Sequence, residues 1–233
     1  MGRRVTPYRQ ACSFGTRGIV KIGDIHRFFE ELGHRVQRPV RVLLTGGAAA
    51  ILQGVKRATF DIDFEIALKR VARKRAKPGD DWDDLQKAIE DTSKLTGITP
   101  QYTEDIDQWS SIALPSKQSR LYRHFEKVEV RILDPGLWAI GKLARYLSTD
   151  IQDLRIVLKA TDTRPKVLAR VWGTALGISP ASSSQATFRK QVENFLDQHA
   201  REIWGARTNA EELKRVFIDA AQKARRRKVL NRG

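Results

Sequence analysis

The chain has 233 residues, 41% of them apolar, which is enough for one large domain or two small ones with a genuine core. Lys and Arg outnumber Asp and Glu by 43 to 27, a formal net charge of +16 that suits a polyanionic partner, nucleic acid first and anionic membrane second. A single cysteine, Cys12, excludes a disulfide framework or cysteine-based zinc site within one chain, and neither an apolar signal core nor an apolar run of roughly 20 residues is present, so the expected setting is soluble and cytoplasmic.

Residues 1–22 read as a basic arm of Gly, Pro and Arg without periodicity. Ile25, Phe28, Phe29 and Leu32 recur at helical spacing, with Gly33 as the expected stop. Val40 to Leu44 predicts a buried strand, Gly47 to Leu52 the start of a helix, and Thr59 to Leu68 a second strand. A basic run follows (Lys69, Arg70, Arg73, Lys74, Arg75 and Lys77), ending at Pro78-Gly79. Asp80 or Asp81 caps a helix that runs to about Leu95. Short strands are expected between 99 and 133, the best being Lys127 to Leu133, and Asp134-Pro135-Gly136 is a turn or helix start. From Leu137 the pattern is helical almost to the end, broken at Pro165 and at Gly177-Ile178-Ser179-Pro180, with Ser182 to Ser184 as a capping loop. The expected fold is α/β (α+β): a small mixed sheet in a core spanning 23–147, then a helical part spanning 148–233.

The chemistry concentrates in two segments. Leu44-Thr45-Gly46-Gly47-Ala48 takes a strand into a Gly-Gly turn and a helix of small residues. Glycines without Cβ atoms let backbone N–H groups approach a phosphate closely. Arg57-Ala58-Thr59-Phe60-Asp61-Ile62-Asp63-Phe64 then carries two carboxylates one residue apart, which a strand points to the same face. Phe60, Ile62 and Phe64 are expected on the opposite, packed face. Paired carboxylates repel unless a cation joins them, and Mg²⁺ (or Mn²⁺) shared with substrate phosphates is the expected one.

Gly46-Gly47 with Arg57, Thr59, Asp61 and Asp63 resembles the signature of the polymerase-β-like minimal nucleotidyltransferases. Within that superfamily the resemblance points to the AbiEii-like toxin nucleotidyltransferases and related uncharacterised families, whose later helix carries a Lys and an Arg before a paired-Asp segment. Lys142, Arg145, Asp150 and Asp153 match that pattern, and the resemblance spans roughly residues 40–155. Two positions depart from it: Gly47 stands where many such toxins have Ser, and Thr149 where they have Arg.

The resemblance implies transfer of a nucleotide from an NTP to an acceptor hydroxyl, an RNA such as a tRNA 3′ end, by a toxin paired with an antitoxin protein. It implies catalytic roles for Asp61, Asp63, Lys142, Glu129 and Asp150, and nucleotide contacts from Gly46, Gly47, Arg57, Thr59 and Arg145. Each also has an ordinary reading. Glu129 is either a third catalytic carboxylate or a surface residue paired with Arg131. Asp150 positions Lys142, acts as a base, or caps the next helix, and Asp153 reads as structural. Arg57 is a pocket residue or a solvent arginine. The run Lys69–Lys77 binds RNA phosphates or is a solvated loop. The C-terminal cluster from Lys223 to Lys228, with Lys214 and Arg215 earlier, is a second phosphate track or a set of cations complementing a helix C-terminus. His26, His34, His124 and His199 lack metal-ligand spacing, and the Trp residues fit core packing better than base stacking. Nucleotidylation of a partner protein, a nucleic-acid-binding module that has lost catalysis, and, less suited to the large positive charge, a small-molecule (antibiotic-type) nucleotidyltransferase are the alternative functions.

Overall fold

The computed structural model describes residues 19–68, 80–103 and 111–230. Cys12, the run Lys69–Lys77 and nearly all of the N-terminal arm lie outside the described residues.

The mixed fold expected from the sequence is present. Five strands, β1 (Val40–Leu44), β2 (Asp61–Leu68), β3 (Thr99–Thr103), β4 (Ser119–Phe125) and β5 (Val128–Leu133), form one sheet in the order β3-β2-β1-β5-β4. β1 runs antiparallel to β2 and parallel to β5, β2 is parallel to β3, and β4 and β5 are antiparallel.

Alternation along β2 sets the two faces of the sheet. Ile62, Phe64 and Ile66 are buried, and Asp61, Asp63 and Glu65 take the opposite face. The apolar face is covered by α1 (Ile22–Arg35), whose Phe28 and Phe29 rings lie 6.1 and 5.7 Å from Phe64. Each such ring contributes about 1.5–3 kcal/mol through burial. Helix α3 (Asp80–Thr96) packs against α1 on this side, and its Trp82 leans on Tyr102, which stacks on Phe64. Gly33 does not stop α1, which continues to Arg35. A Cβ at Gly33 would sit 2.4 Å from the Phe125 carbonyl oxygen, so this glycine lets helix and sheet edge touch. Phe60 departs from expectation as well: it precedes the start of β2 and is 54% exposed.

The helical remainder comprises α4 (Pro135–Arg145), α5 (Ser148–Ala160), α6 (Pro165–Ile178), α7 (Ser183–Trp204) and α8 (Ala210–Leu230). The expected breaks at Pro165 and at 177–180 are present, whereas the break at 205–209 between α7 and α8 is not among those expected. The Asp134 carboxylate accepts the Gly136 N–H at 2.9 Å to cap α4, and the Ser182 hydroxyl accepts the Gln185 N–H at 3.2 Å to cap α7. α4 ends on Tyr146 in left-handed geometry (φ 56°), which turns the chain straight into α5. One hydrophobic cluster runs from the sheet through α4 into α5, α6, α7 and α8. Among the described residues no helix is long and apolar enough to cross a membrane.

Candidate functional site

The short helix α2 (Gly46–Leu52) follows β1 directly, and its first residues meet the acidic face of β2. Gly46 has φ +62°, and a Cβ there would lie 1.8 Å from Asp63 Oδ2. A Cβ on Gly47 would lie 2.6 Å from Thr59 Oγ1 and 3.1 Å from Arg57 Nη2. The Gly-Gly pair is thus required by the close approach of the segment 57–63. The Gly47 N–H donates to the Asp63 carboxylate itself. Asp61 is held from the side: Thr59 Oγ1 donates to its Oδ1 at 3.2 Å and Gln101 Nε2 to its Oδ2 at 2.5 Å.

Burial pushes the Asp63 carboxyl up to about 7, and the neighbouring Asp61 charge adds to the rise, against the opposing pull of Arg145, the Gly47 N–H and Lys142.

A second layer comes from the α4–α5 hairpin. The Lys142 ammonium donates to Asp150 Oδ1 and to Asp153 Oδ2, each at 2.8 Å, and is 3% exposed. Arg57 reaches across from the loop after α2 and grips Asp153 bidentately at 2.7 and 2.7 Å. Arg145 does the same to Asp150, through Nε at 2.8 Å and Nη2 at 2.7 Å, yet its side chain remains 58% exposed. Trp138, one turn before Lys142, donates its Nε1–H to the Gly46 carbonyl at 3.1 Å, and its ring lies 5.6 Å from the Lys142 ammonium. Two buried carboxylates and three cations therefore tie α4, α5 and the loop after α2 into one clamp behind the acid pair.

The structure brings together Gly46, Gly47, Arg57, Thr59, Asp61, Asp63, Lys142, Arg145 and Asp150. It revises several of their roles. Thr59 is buried and turned onto Asp61, so it positions that carboxylate rather than facing a nucleotide. Arg57 serves Asp153. Lys142 is enclosed by two carboxylates, which leaves Arg145 as the cation of the pair presented to a ligand. Asp150 is fully buried and also accepts the Leu147 N–H at 3.3 Å; burial alone would raise its pKa, but the hydrogen bonds from Arg145 and Lys142 outweigh it and hold it below the usual carboxylate range. A base poised for neutral pH needs the opposite shift, so of the three readings Asp150 takes those of cap and Lys142 partner.

Glu129 is not part of this site. It pairs with Arg41 on β1, whose partner on β2 is Ala67, four residues beyond Asp63. At about 3.3 Å per residue and 4.8 Å per strand, the register separates Glu129 from Asp63 by about 13 Å along the strands and two strands sideways. Its carboxylate takes hydrogen bonds from Arg41 Nε at 3.0 Å and Arg131 Nη1 at 3.1 Å. Leu133 is the β5 residue nearest the level of Asp63.

Two residues that sequence reasoning missed belong to the site. Gln101 lies beside Asp63 in the β2–β3 register, a pairing with no local signature. Trp138 is four residues before Lys142 on one helix face, a spacing that was available to be read.

The donor set fits a hard divalent cation: two carboxylates on one face, repelling each other, with oxygen atoms only. Among the described residues no group of three or more His, Cys, Asp or Glu converges as a protein-only metal cage. Mg²⁺ bound through one or two carboxylates and completed by substrate phosphates needs none. No family model matches this chain, and no curated protein or solved structure matches it.

Proposed function

We propose that this protein is a Mg²⁺-dependent nucleotidyltransferase that moves NMP from an NTP to the hydroxyl of an RNA acceptor, such as a tRNA 3′ end, as the toxin of a toxin–antitoxin pair. The observation that carries the reading is the Asp61–Asp63 pair set against the Gly46–Gly47 turn, with the exposed fork of Arg145 close enough to lower the proton affinity of Asp63. The net charge of +16 supports a polyanionic acceptor, and the resemblance to AbiEii-like nucleotidyltransferases supports the toxin role and an antitoxin partner.

Asp61 and Asp63 would hold Mg²⁺, which when bound neutralises phosphate charge and makes the acceptor hydroxyl more acidic. The chain's own groups do the rest. Thr59 and Gln101 fix the Asp61 carboxylate from two sides, so that it need not reorganise during reaction. Arg145, oriented by Asp150, offers its exposed guanidinium to the triphosphate. Lys142, Asp153 and Arg57 hold Asp150 and the loop after α2 in place, and Trp138 fixes the Gly46 carbonyl. In the reaction the acceptor oxygen would bond to the α-phosphorus, the bridge to the β-phosphate would break, pyrophosphate would leave and the hydroxyl proton would pass to solvent water. Positioning and electrostatics supply the acceleration.

The test is incubation with total RNA, Mg²⁺ and each α-labelled NTP in turn. Wild type labels RNA with one NTP preferred, and Asp63→Ala loses at least about 10²-fold. Equal labelling by the two proteins overturns the reading, and label on a protein band instead of RNA moves the acceptor to a protein.

A further inference from the structure

The parallel helices α6 and α8 pack with unusual closeness. A Cβ on Gly173 would lie 2.1 Å from the Phe217 carbonyl oxygen, and one on Gly177 would lie 2.3 Å from that of Ala221. The small residues Ala220 and Ala224 face the same two glycines from α8. Beside this seam runs a groove of about 620 Å³, walled by Arg170 on α6 and by Lys223, Arg227 and Lys228 on α8. Among the described residues no acidic side chain lines it.

Four other cations on the helical part are held in ion pairs. Lys166 is paired with Glu212, Lys214 with Asp197 and Glu211, Arg189 with Glu193, and Arg155 with Glu202. Among the described residues Arg170, Lys223 and Arg227 enter no ion pair. Lys228 is directed by its bond to the Ile178 carbonyl at the end of α6, which anchors one end of the row. Arg170, Thr174 and Ile178 recur at every fourth residue on α6, and Ala220, Lys223, Ala224 and Arg227 at every third or fourth on α8, so the charges follow one line of about 12 Å.

We infer that the α6–α8 groove is a docking track for the phosphodiester backbone of RNA, separate from the catalytic face. A row of uncompensated cations over a shallow, small-residue floor matches a regularly spaced polyanion and carries no shape for a discrete small anion. An anionic membrane fits less well. The apolar face of α8, with Leu213, Phe217 and Ala221, is buried in the protein core rather than available for insertion. The choice of RNA over other nucleic acid rests on the proposed acceptor, but the docking track itself needs neither NTP nor turnover.

The test is fluorescence anisotropy of the full chain with a fluorescein-labelled RNA stem-loop over a salt series, without NTP or Mg²⁺. The triple variant Arg170→Ala/Lys223→Ala/Arg227→Ala should flatten the slope of log K against log salt by about 2–3 and weaken binding at least about tenfold at low salt. Arg189→Ala, which removes a paired cation, should bind within about twofold of wild type. Since all three replaced side chains are exposed, the variant should melt with wild type. The inference is overturned if the triple variant binds RNA with wild-type slope, if Arg189→Ala loses as much per charge, or if anionic vesicles or polyglutamate displace the RNA as effectively as unlabelled RNA does. Asp63→Ala separates the two claims: retained RNA binding without labelling supports both, whereas wild-type labelling overturns the catalytic reading and leaves the docking result standing.

Discussion

At Asp63, burial and the charge of Asp61 favour the protonated carboxyl, while Arg145 and the Gly47 N–H favour the anion. The first pair wins, so the folded protein holds a proton up to about pH 7 that the unfolded chain releases near its ordinary value of 3.8. The folded state then binds more protons between those limits, and stability falls as pH rises through that window, by an amount on the order of 4 kcal/mol at most. Without divalent metal, the melting temperature of wild type should drop from pH 5 to pH 8, and Asp63→Asn should remove most of that drop. Mg²⁺ at pH 8 should raise the wild-type value and leave Asp63→Asn unchanged. Parallel melting curves across the pH series would refute the shift. Gly46 supplies a second test at the same scale. Gly46→Ala meets both a left-handed backbone, costing about 1 kcal/mol, and the Asp63 carboxylate at 1.8 Å. Gly54→Ala meets a positive φ of 97° with nothing within 4 Å. Both should melt lower, but only Gly46→Ala should lose nucleotidyl transfer.

The α4–α5 hairpin shows how one motif divides its labour. Lys142 and Arg145 lie three residues apart and contact the same Asp150, yet one is enclosed and the other half in solvent. Removing Lys142 leaves Asp150 and Asp153 buried with a counter-ion short, which typically costs about 3–5 kcal/mol. Removing Arg145 leaves Asp150 with Lys142, and its loss is reduced by solvent screening. Urea unfolding should therefore place Lys142→Ala far below wild type and Arg145→Ala close to it, while Arg145→Ala should raise the KM for NTP. Equal destabilisation would make Arg145 a structural residue.

The same hairpin marks where sequence stops informing. Strand positions, the Gly-Gly turn, the Asp134 and Ser182 caps and the shared face of Asp61 and Asp63 all follow from local periodicity and capping chemistry. Helical spacing placed Lys142 and Arg145 together but held no information on depth, since burial depends on what α5 brings over them. Glu129 alternates correctly on its strand, and only the register of β5 against β1, a long-range property, carries it away from Asp63. Gln101 became a partner of Asp61 through the pairing of β2 with β3, forty residues apart in sequence.

At the scale of the whole molecule, the sheet and the helical part share one core and one electrostatic clamp. The change from a mixed to a helical pattern puts a boundary near residue 148, and the chain crosses it in the turn of the α4–α5 hairpin. The first two acids after it, Asp150 and Asp153, neutralise Lys142, Arg145 and Arg57 from before it. Trp172 on α6 donates to the Gly136 carbonyl at 3.0 Å, and a Cβ on Gly136 would touch Leu168 at 3.0 Å, so α6 also seals the start of α4. Cutting the chain after Leu147 would leave Lys142 in an apolar setting without either counter-ion and would bare Trp138, Ile140 and Leu143 wherever they face the helical part. A fragment of residues 1–147 should thus lack a cooperative thermal transition, bind a hydrophobic dye and transfer no nucleotide. Mixing it with a fragment of residues 148–233 should restore part of the activity, because the clamp re-forms from both sides. Cooperative melting with full transfer by 1–147 alone would show that the helical part is dispensable and that the acid pair keeps its geometry without Asp150 and Asp153.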